Sequence, residues 1–411
     1  MVSNRKVYLS GFFSGDRDYV VRSLLGKAGR GGSEPGEVLA TIAGLGEHDD
    51  GVWFEAWSAL GARVAGIAAG CAQAGHRVSA ARAYLRAANY LAVAVDVASA
   101  LDDDAKVRAA FDAHRAAWEG FVASTRWPVE RVAIPYEGST LPGWFFHPDD
   151  AGDPRPTLIV NNGSDGALSG LWSEAAEGAL ERGYGVLLFD GPGQQSVFFE
   201  RGVPFRYDWE AVLTPVVDTV LARPDVDPGR LAVYGISQAG YWVSRALAFE
   251  HRVAAAVLDG GVVDVARSWT SQIPHSLMEL YRKGEVAKFE RDMSIGMKLP
   301  GGRATLANWN FRARPYGTTG FAATLDEVSR YTVEQVAAQV DTPVLITSPE
   351  REQFFPGQSK ELAALIPGAQ LLELTEAEGA SFHCQPLARE LTEQRMFDWL
   401  DERLATGVHA R

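Results

Sequence analysis

The chain has little cysteine: two residues in 411, Cys71 and Cys384. That excludes a disulfide framework and leaves too few thiols for a cysteine zinc site. Basic charge is also short. The 39 Lys and Arg face 52 Asp and Glu, for a formal net charge of −13. Nucleic acids and anionic membranes are bound through basic patches, so neither is expected as the main partner. No apolar run reaches the roughly 18 residues of a membrane helix. The opening stretch, MVSNRKVYLSGFFSGDRDYVVRSLLG, lacks the apolar core and cleavage site of a secretion signal. The glycine-rich DGPGQQ at 190–195 is followed by no Gly-Lys-Ser/Thr, so it is not a phosphate loop. These absences lead us to expect a soluble cytoplasmic protein.

What is present is ordinary globular material, 46% hydrophobic and 22% charged. The length suggests two or three structural units. Residues 1–128 read as helical, with Ala-rich segments at 52–75, 79–101 and 104–125 and Ser79 as the expected cap of the second. The pattern changes at Trp127-Pro128. VERVAIPYEG and TLPGWFFHP read as a hairpin joined by a Gly-Ser turn. Strand and helix patterns then alternate, pause at about 265–338, and resume to the end. Such alternation predicts an α/β fold with a mostly parallel sheet and helices on both faces. The expected layout is a helical cap at 1–128, a core at 129–264 and 339–411, and a helical insertion at 265–338.

In such sheets function gathers at the carboxyl ends of the strands. Three of these ends carry what acyl transfer needs. LAVYGISQAGYW is a strand, a tight turn and a helix, with Ser237 at the bend and small residues around it. SPEREQFFPG follows the next-to-last strand and holds Glu350 and Glu352, of which Glu352 is favoured. EAEGASFHCQP follows the last strand and holds His383. A serine hydroxyl is a weak nucleophile at neutral pH and needs an imidazole to take its proton. A carboxylate fixes the imidazole tautomer. Backbone N–H groups must hold the oxyanion: Gln238, and Ser164 or Gly163 in the loop NNGSDG. Asp190 is read as a structural residue of its turn and Cys384 as a small buried one.

Taken together, GHRVSAARAYLRAANYLAVA, FDGPGQQS, GISQAGYW and EGASFHCQP resemble the α/β-hydrolase family of dihydroxypseudooxynicotine hydrolase and the fungal polyketide-shortening hydrolases of pigment synthesis. The likeness runs from about residue 45 to 404. Here Gln195 replaces a common glycine, and a glutamate stands where relatives usually carry aspartate as the acid. The resemblance implies the α/β-hydrolase fold with a helical cap, a homodimer, no metal or other cofactor, and hydrolysis of a C–C bond beside a carbonyl. It places Ser237, Glu352 and His383 in the triad. Ester or thioester hydrolysis uses the same groups, and an acyltransferase, cyclase or epimerase would keep the same fold.

Candidate substrate contacts follow. Tyr84, Arg86, Asn89 and Tyr90 share one helix, with Arg86 and Tyr90 on one face. Helix packing is the competing reading. Trp242, Trp269, Trp309 and Phe354 are candidates for an apolar pocket, with core packing as the alternative.

Overall fold

The computed structural model describes residues 7–405 apart from positions 48 and 102. Eight strands form one sheet: β1 Val129–Tyr136, β2 Ser139–Phe146, β3 Arg155–Asn161, β4 Gly185–Phe189, β5 Val226–Ile236, β6 Ala255–Asp259, β7 Val344–Pro349 and β8 Gln370–Leu374. Their spatial order is β1-β2-β4-β3-β5-β6-β7-β8. The pairs β1/β2 and β2/β4 are antiparallel, and the remaining neighbours run parallel. The expected α/β-hydrolase fold is therefore present.

The strands alternate between two cores, as the two-residue period of a strand requires. Leu158, Val160, Ala232 and Tyr234 face a core shared with the N-terminal helices. Ile159, Leu231, Val233 and Leu258 face the other, with the helices Glu210–Leu221 and Ala239–Leu247. The β1–β2 hairpin turns on Glu137-Gly138, both with positive φ, while Ser139 already pairs with Tyr136. This corrects the expected Gly-Ser turn: a two-residue hairpin favours left-handed backbone at both central positions, to match the strand twist.

Three long helices, Asp50–Gln73, Arg77–Ala100 and Asp104–Ser124, pack side by side over one face of the sheet. The first and third start at aspartate caps, where Asp49 accepts from the Val52 N–H and Asp103 from the Lys106 N–H, each at 3.0 Å. The second begins at Arg77, so Ser79 lies within its first turn and is not its cap. Arg77 instead ties that start to the end of the third helix through the Ser124 carbonyl, at 3.1 Å. Arg115 on the third helix reaches Asp190 at the end of β4 at 2.5 Å, and Asp190 also accepts from the Ser196 hydroxyl. Asp190 thus joins helix, strand and turn.

Between β6 and β7 run the helices Arg267–Thr270, His275–Arg282, Val286–Gly296, Gly302–Ala313 and Phe321–Val328. No helix among the described residues is long and apolar enough to cross a membrane.

Helix Ala239–Leu247 approaches β6 so closely that a Cβ on Gly240 would sit 1.9 Å from the Gly260 carbonyl oxygen. Gly240→Ala is expected to destabilise the fold by about 3 kcal/mol, the upper part of the usual overpacking range. Denaturant unfolding checks this, and an unchanged midpoint would contradict it.

Candidate active site

Ser237 stands between β5 and helix Ala239–Leu247 with φ of 56°. L-residues rarely adopt this left-handed backbone. Its N–H donates to the Asp259 carbonyl at the end of β6, at 2.5 Å. The turn leaves no space for larger neighbours. A Cβ on Gly235 would come within 2.8 Å of the Ala239 carbonyl oxygen, and one on Gly163 within 3.0 Å of the Ser237 Cβ. Ala239, the small residue two positions after the serine, is fully buried.

The three side chains singled out in sequence meet. His383 Nε2 lies 2.9 Å from Ser237 Oγ. His383 Nδ1 lies 2.8 Å from Glu352 Oε2. The other Glu352 oxygen accepts the Phe354 and Phe355 N–H groups at 2.9 and 3.1 Å, which fixes the carboxylate. Glu350 points elsewhere and accepts the Glu376 N–H. The His383 N–H donates to the Gln353 side chain at 2.8 Å.

The electrostatics fit a coupled acid and imidazole. Burial opposes charge on both groups, yet their attraction wins. Glu352 is held below the usual glutamate range, despite desolvation, by His383 and by the two backbone N–H groups. Burial works against charge on His383, and the Glu352 carboxylate on its Nδ1 raises it above the usual histidine range. Burial pushes the Cys384 thiol up to about 11, and it donates to the Asp259 carbonyl at 3.2 Å.

The loop NNGSDG lies against the serine and is clamped by DGPGQQ. Gln194 Nε2 donates to the Asn162 and Gly163 carbonyls at 2.8 and 3.0 Å. Gln195 Nε2 donates to the Gly166 carbonyl at 3.0 Å. Gln195 has φ of 38°, a conformation that favours glycine. The Gly163 N–H is occupied by Asn162 Oδ1 at 2.9 Å. Gly163 is therefore corrected from oxyanion donor to a close-approach position. The N–H groups of Gln238 and Ser164 have no protein partner among the described residues.

The candidate substrate contacts divide. Phe354 sits edge-on to His383, with centroids 4.9 Å apart. Trp269 is buried, carries the Arg312 guanidinium over its ring at 4.2 Å, and meets Trp309 edge-on. Trp242 is a correction: it is fully buried, stacked on Trp209 at 4.5 Å, and bonded to the Arg206 carbonyl. Arg86 and Tyr90 are corrections too, since both engage Glu37, at 3.1 and 2.8 Å. Asn89 donates to the Gly32 carbonyl at 2.9 Å. Tyr84 packs over Gly120, where an added Cβ would meet its ring at 2.7 Å. The shared helix face is real, but it fastens the helix to its N-terminal neighbours.

Several groups were missed. Tyr19, on helix Asp16–Gly26, lies 5.6 Å from the Phe354 ring and 6.1 Å from the His383 ring. Asp165, beside Ser164, is exposed and accepts the Ser164 hydroxyl at 3.3 Å. A polar residue beside Ser164 was a usable signal for Asp165. Nothing in the sequence pattern linked residues 16–19 to residues 352–383.

Comparison with known proteins agrees with the fold. The esterase FrsA-like family profile matches residues 25–282. The chain belongs to the FrsA-like esterase family. Hydrolase LUC6 of Fusarium sp is 29% identical over 403 residues, which covers 92% of this chain and 94% of that protein. The 20-hydroxy-prefusarin hydrolase FUS2 of Gibberella moniliformis is 31% identical over 292 residues, or 69% and 68% of the two chains. The crystal structure of 2,6-dihydroxy-pseudo-oxynicotine hydrolase superposes with a TM-score of 0.68 at 20% identity, covering 93% of this chain and 96% of that one. This FrsA-like chain is thus an α/β-hydrolase enzyme.

Removing the acid tests the coupling. Glu352→Gln deletes a charge that raises His383, so the imidazole should titrate at lower pH than in the native protein. NMR titration of His383 reads this directly, and an unmoved transition would show that Glu352 does not govern it.

Proposed function

We propose that the protein is a serine hydrolase that cleaves a C–C bond adjacent to a carbonyl in a small aromatic or polyketide-like molecule. The reading rests on one observation: the unbroken chain from Ser237 Oγ through His383 to Glu352, with steps of 2.9 and 2.8 Å.

Ser237 Oγ attacks the carbonyl carbon while His383 Nε2 takes its proton. Glu352 on Nδ1 fixes the tautomer and steadies the imidazolium. Charge gathers on the carbonyl oxygen, where the N–H groups of Gln238 and Ser164 receive it; one such donor is worth about 3 kcal/mol of barrier. The C–C bond then breaks. Its electron pair stays on a carbon flanked by a second carbonyl or an aromatic ring, and His383 returns the proton there. Water attacks the acyl group on Ser237, gives a proton to His383, and releases the carboxylic acid. The serine then recovers its proton from the imidazole. The rings of Phe354, Phe355 and Tyr19 around His383 suit an aromatic or conjugated leaving group.

Ester hydrolysis is the second reading, and the family's esterase description favours it. It uses the same steps with an alkoxide in place of the carbanion.

A panel of aryl esters and 1,3-diketones in ¹⁸O-water separates the two. We expect diketone turnover with one heavy oxygen in the acid product, and in Ser237→Ala a loss of about 10⁴-fold or more. Turnover of esters alone would select the second reading. Equal turnover by both proteins on productive substrates would reject a nucleophilic Ser237.

A further inference from the structure

Two segments of the candidate site hold backbone that L-residues avoid. One is Ser237 itself, at φ 56°. The other follows His383, where Cys384 and Gln385 have φ of 51° and 43°. Such backbone is strained unless its surroundings hold it. Both segments lead to the same buried ion pair.

Arg389 Nη1 donates to Asp259 Oδ2 at 2.8 Å and to the Cys384 carbonyl at 2.9 Å. Its other amino group donates to the Tyr234 hydroxyl at 3.0 Å and to the Glu174 carbonyl at 2.8 Å. The Asp259 carboxylate also accepts the Tyr234 and Thr347 hydroxyls at 2.7 and 2.8 Å. The backbone carbonyl of this same Asp259 takes the Ser237 N–H and the Cys384 thiol. The side chains of Arg389 and Asp259 are 5% and 0% exposed, so neither has access to a substrate.

A buried pair of this kind is weak evidence for stability, because desolvation offsets much of the attraction. Its placement indicates a different use. From Arg389 one bond runs to the histidine turn and one to Asp259, whose backbone holds the nucleophile.

We propose that Asp259 and Arg389 are positioning residues that set the separation of Ser237 Oγ and His383 Nε2. The proposal rests on the reading of Ser237 as nucleophile and His383 as base. A lateral error of about 1 Å between reacting groups costs roughly a hundredfold in rate. Arg389 should therefore govern reactivity at Ser237 and leave substrate binding alone.

The test is the rate of covalent labelling of the full chain by a fluorophosphonate, with melting temperature measured in parallel. Arg389→Met should label about 10- to 100-fold more slowly per folded molecule. Arg389→Lys should recover part of that rate, and added guanidinium ion should raise the rate of Arg389→Ala. On a turned-over substrate the loss should fall on kcat with KM within about twofold, as for an interaction made only in the transition state. Wild-type labelling rates in folded Arg389→Met would overturn the proposal, even with a lowered melting temperature. If that variant does not fold, Thr347→Val, which removes one of the bonds to Asp259, is read in the same way. A several-fold slower rate is expected, and an unchanged rate overturns the proposal. Failure of the underlying reading looks different: the native protein would then label no faster than Ser237→Ala.

Discussion

The contact on which the candidate site depends is the short hydrogen bond from the Ser237 N–H to the Asp259 carbonyl. A serine at φ 56° is in backbone that stores strain, and something behind it must hold it there. Here the end of β6 does so. The parallel pairing of β5 and β6, from Ala232↔Ala255 to Ile236↔Asp259, brings the two strand ends level. The sheet register thereby sets where the serine oxygen stands. The glycines follow from the same constraint. Gly235, Gly240 and Gly163 each stand where a Cβ would strike neighbouring backbone or the serine itself.

The histidine is held from the other side. Its turn is bonded to Arg389 below and to N-terminal residues above. The Tyr8 hydroxyl accepts the Ser381 N–H at 3.1 Å, and Arg22 lies over the Phe382 ring at 4.6 Å. A Cβ on Gly26 would lie 1.7 Å from the Pro386 carbonyl oxygen, so helix Asp16–Gly26 ends directly against this turn. The helices before residue 30 therefore do more than cover the sheet. They bear on the loop that carries the imidazole.

Much of this was legible in the sequence. The near-continuous apolar runs GVLLF and AAVLD are fully buried strands, as their composition implies for a parallel sheet. The order serine, acid, histidine led to three side chains that the fold brings within hydrogen-bonding distance. The choice of Glu352 over Glu350 follows the geometry, because only Glu352 faces His383. Illegible were the contacts made across long sequence separations. A helical face holding Arg86 and Tyr90 looks the same whether it meets a substrate or Glu37. Trp242 looks the same beside a ligand or stacked on Trp209. Periodicity gives the face of an element but not what lies against it. The roles of Gln194, Gln195 and Arg389 were hidden for the same reason, since each acts on backbone carbonyls that carry no sequence signature.

The most direct measurement is a crystal structure of the protein after reaction with a fluorophosphonate. The account predicts phosphorus bonded to Ser237 Oγ and a phosphoryl oxygen within about 3 Å of the Gln238 and Ser164 N–H groups. His383 should remain hydrogen-bonded to Glu352. Phosphorus on another residue, or a phosphoryl oxygen turned away from both N–H groups, would contradict it.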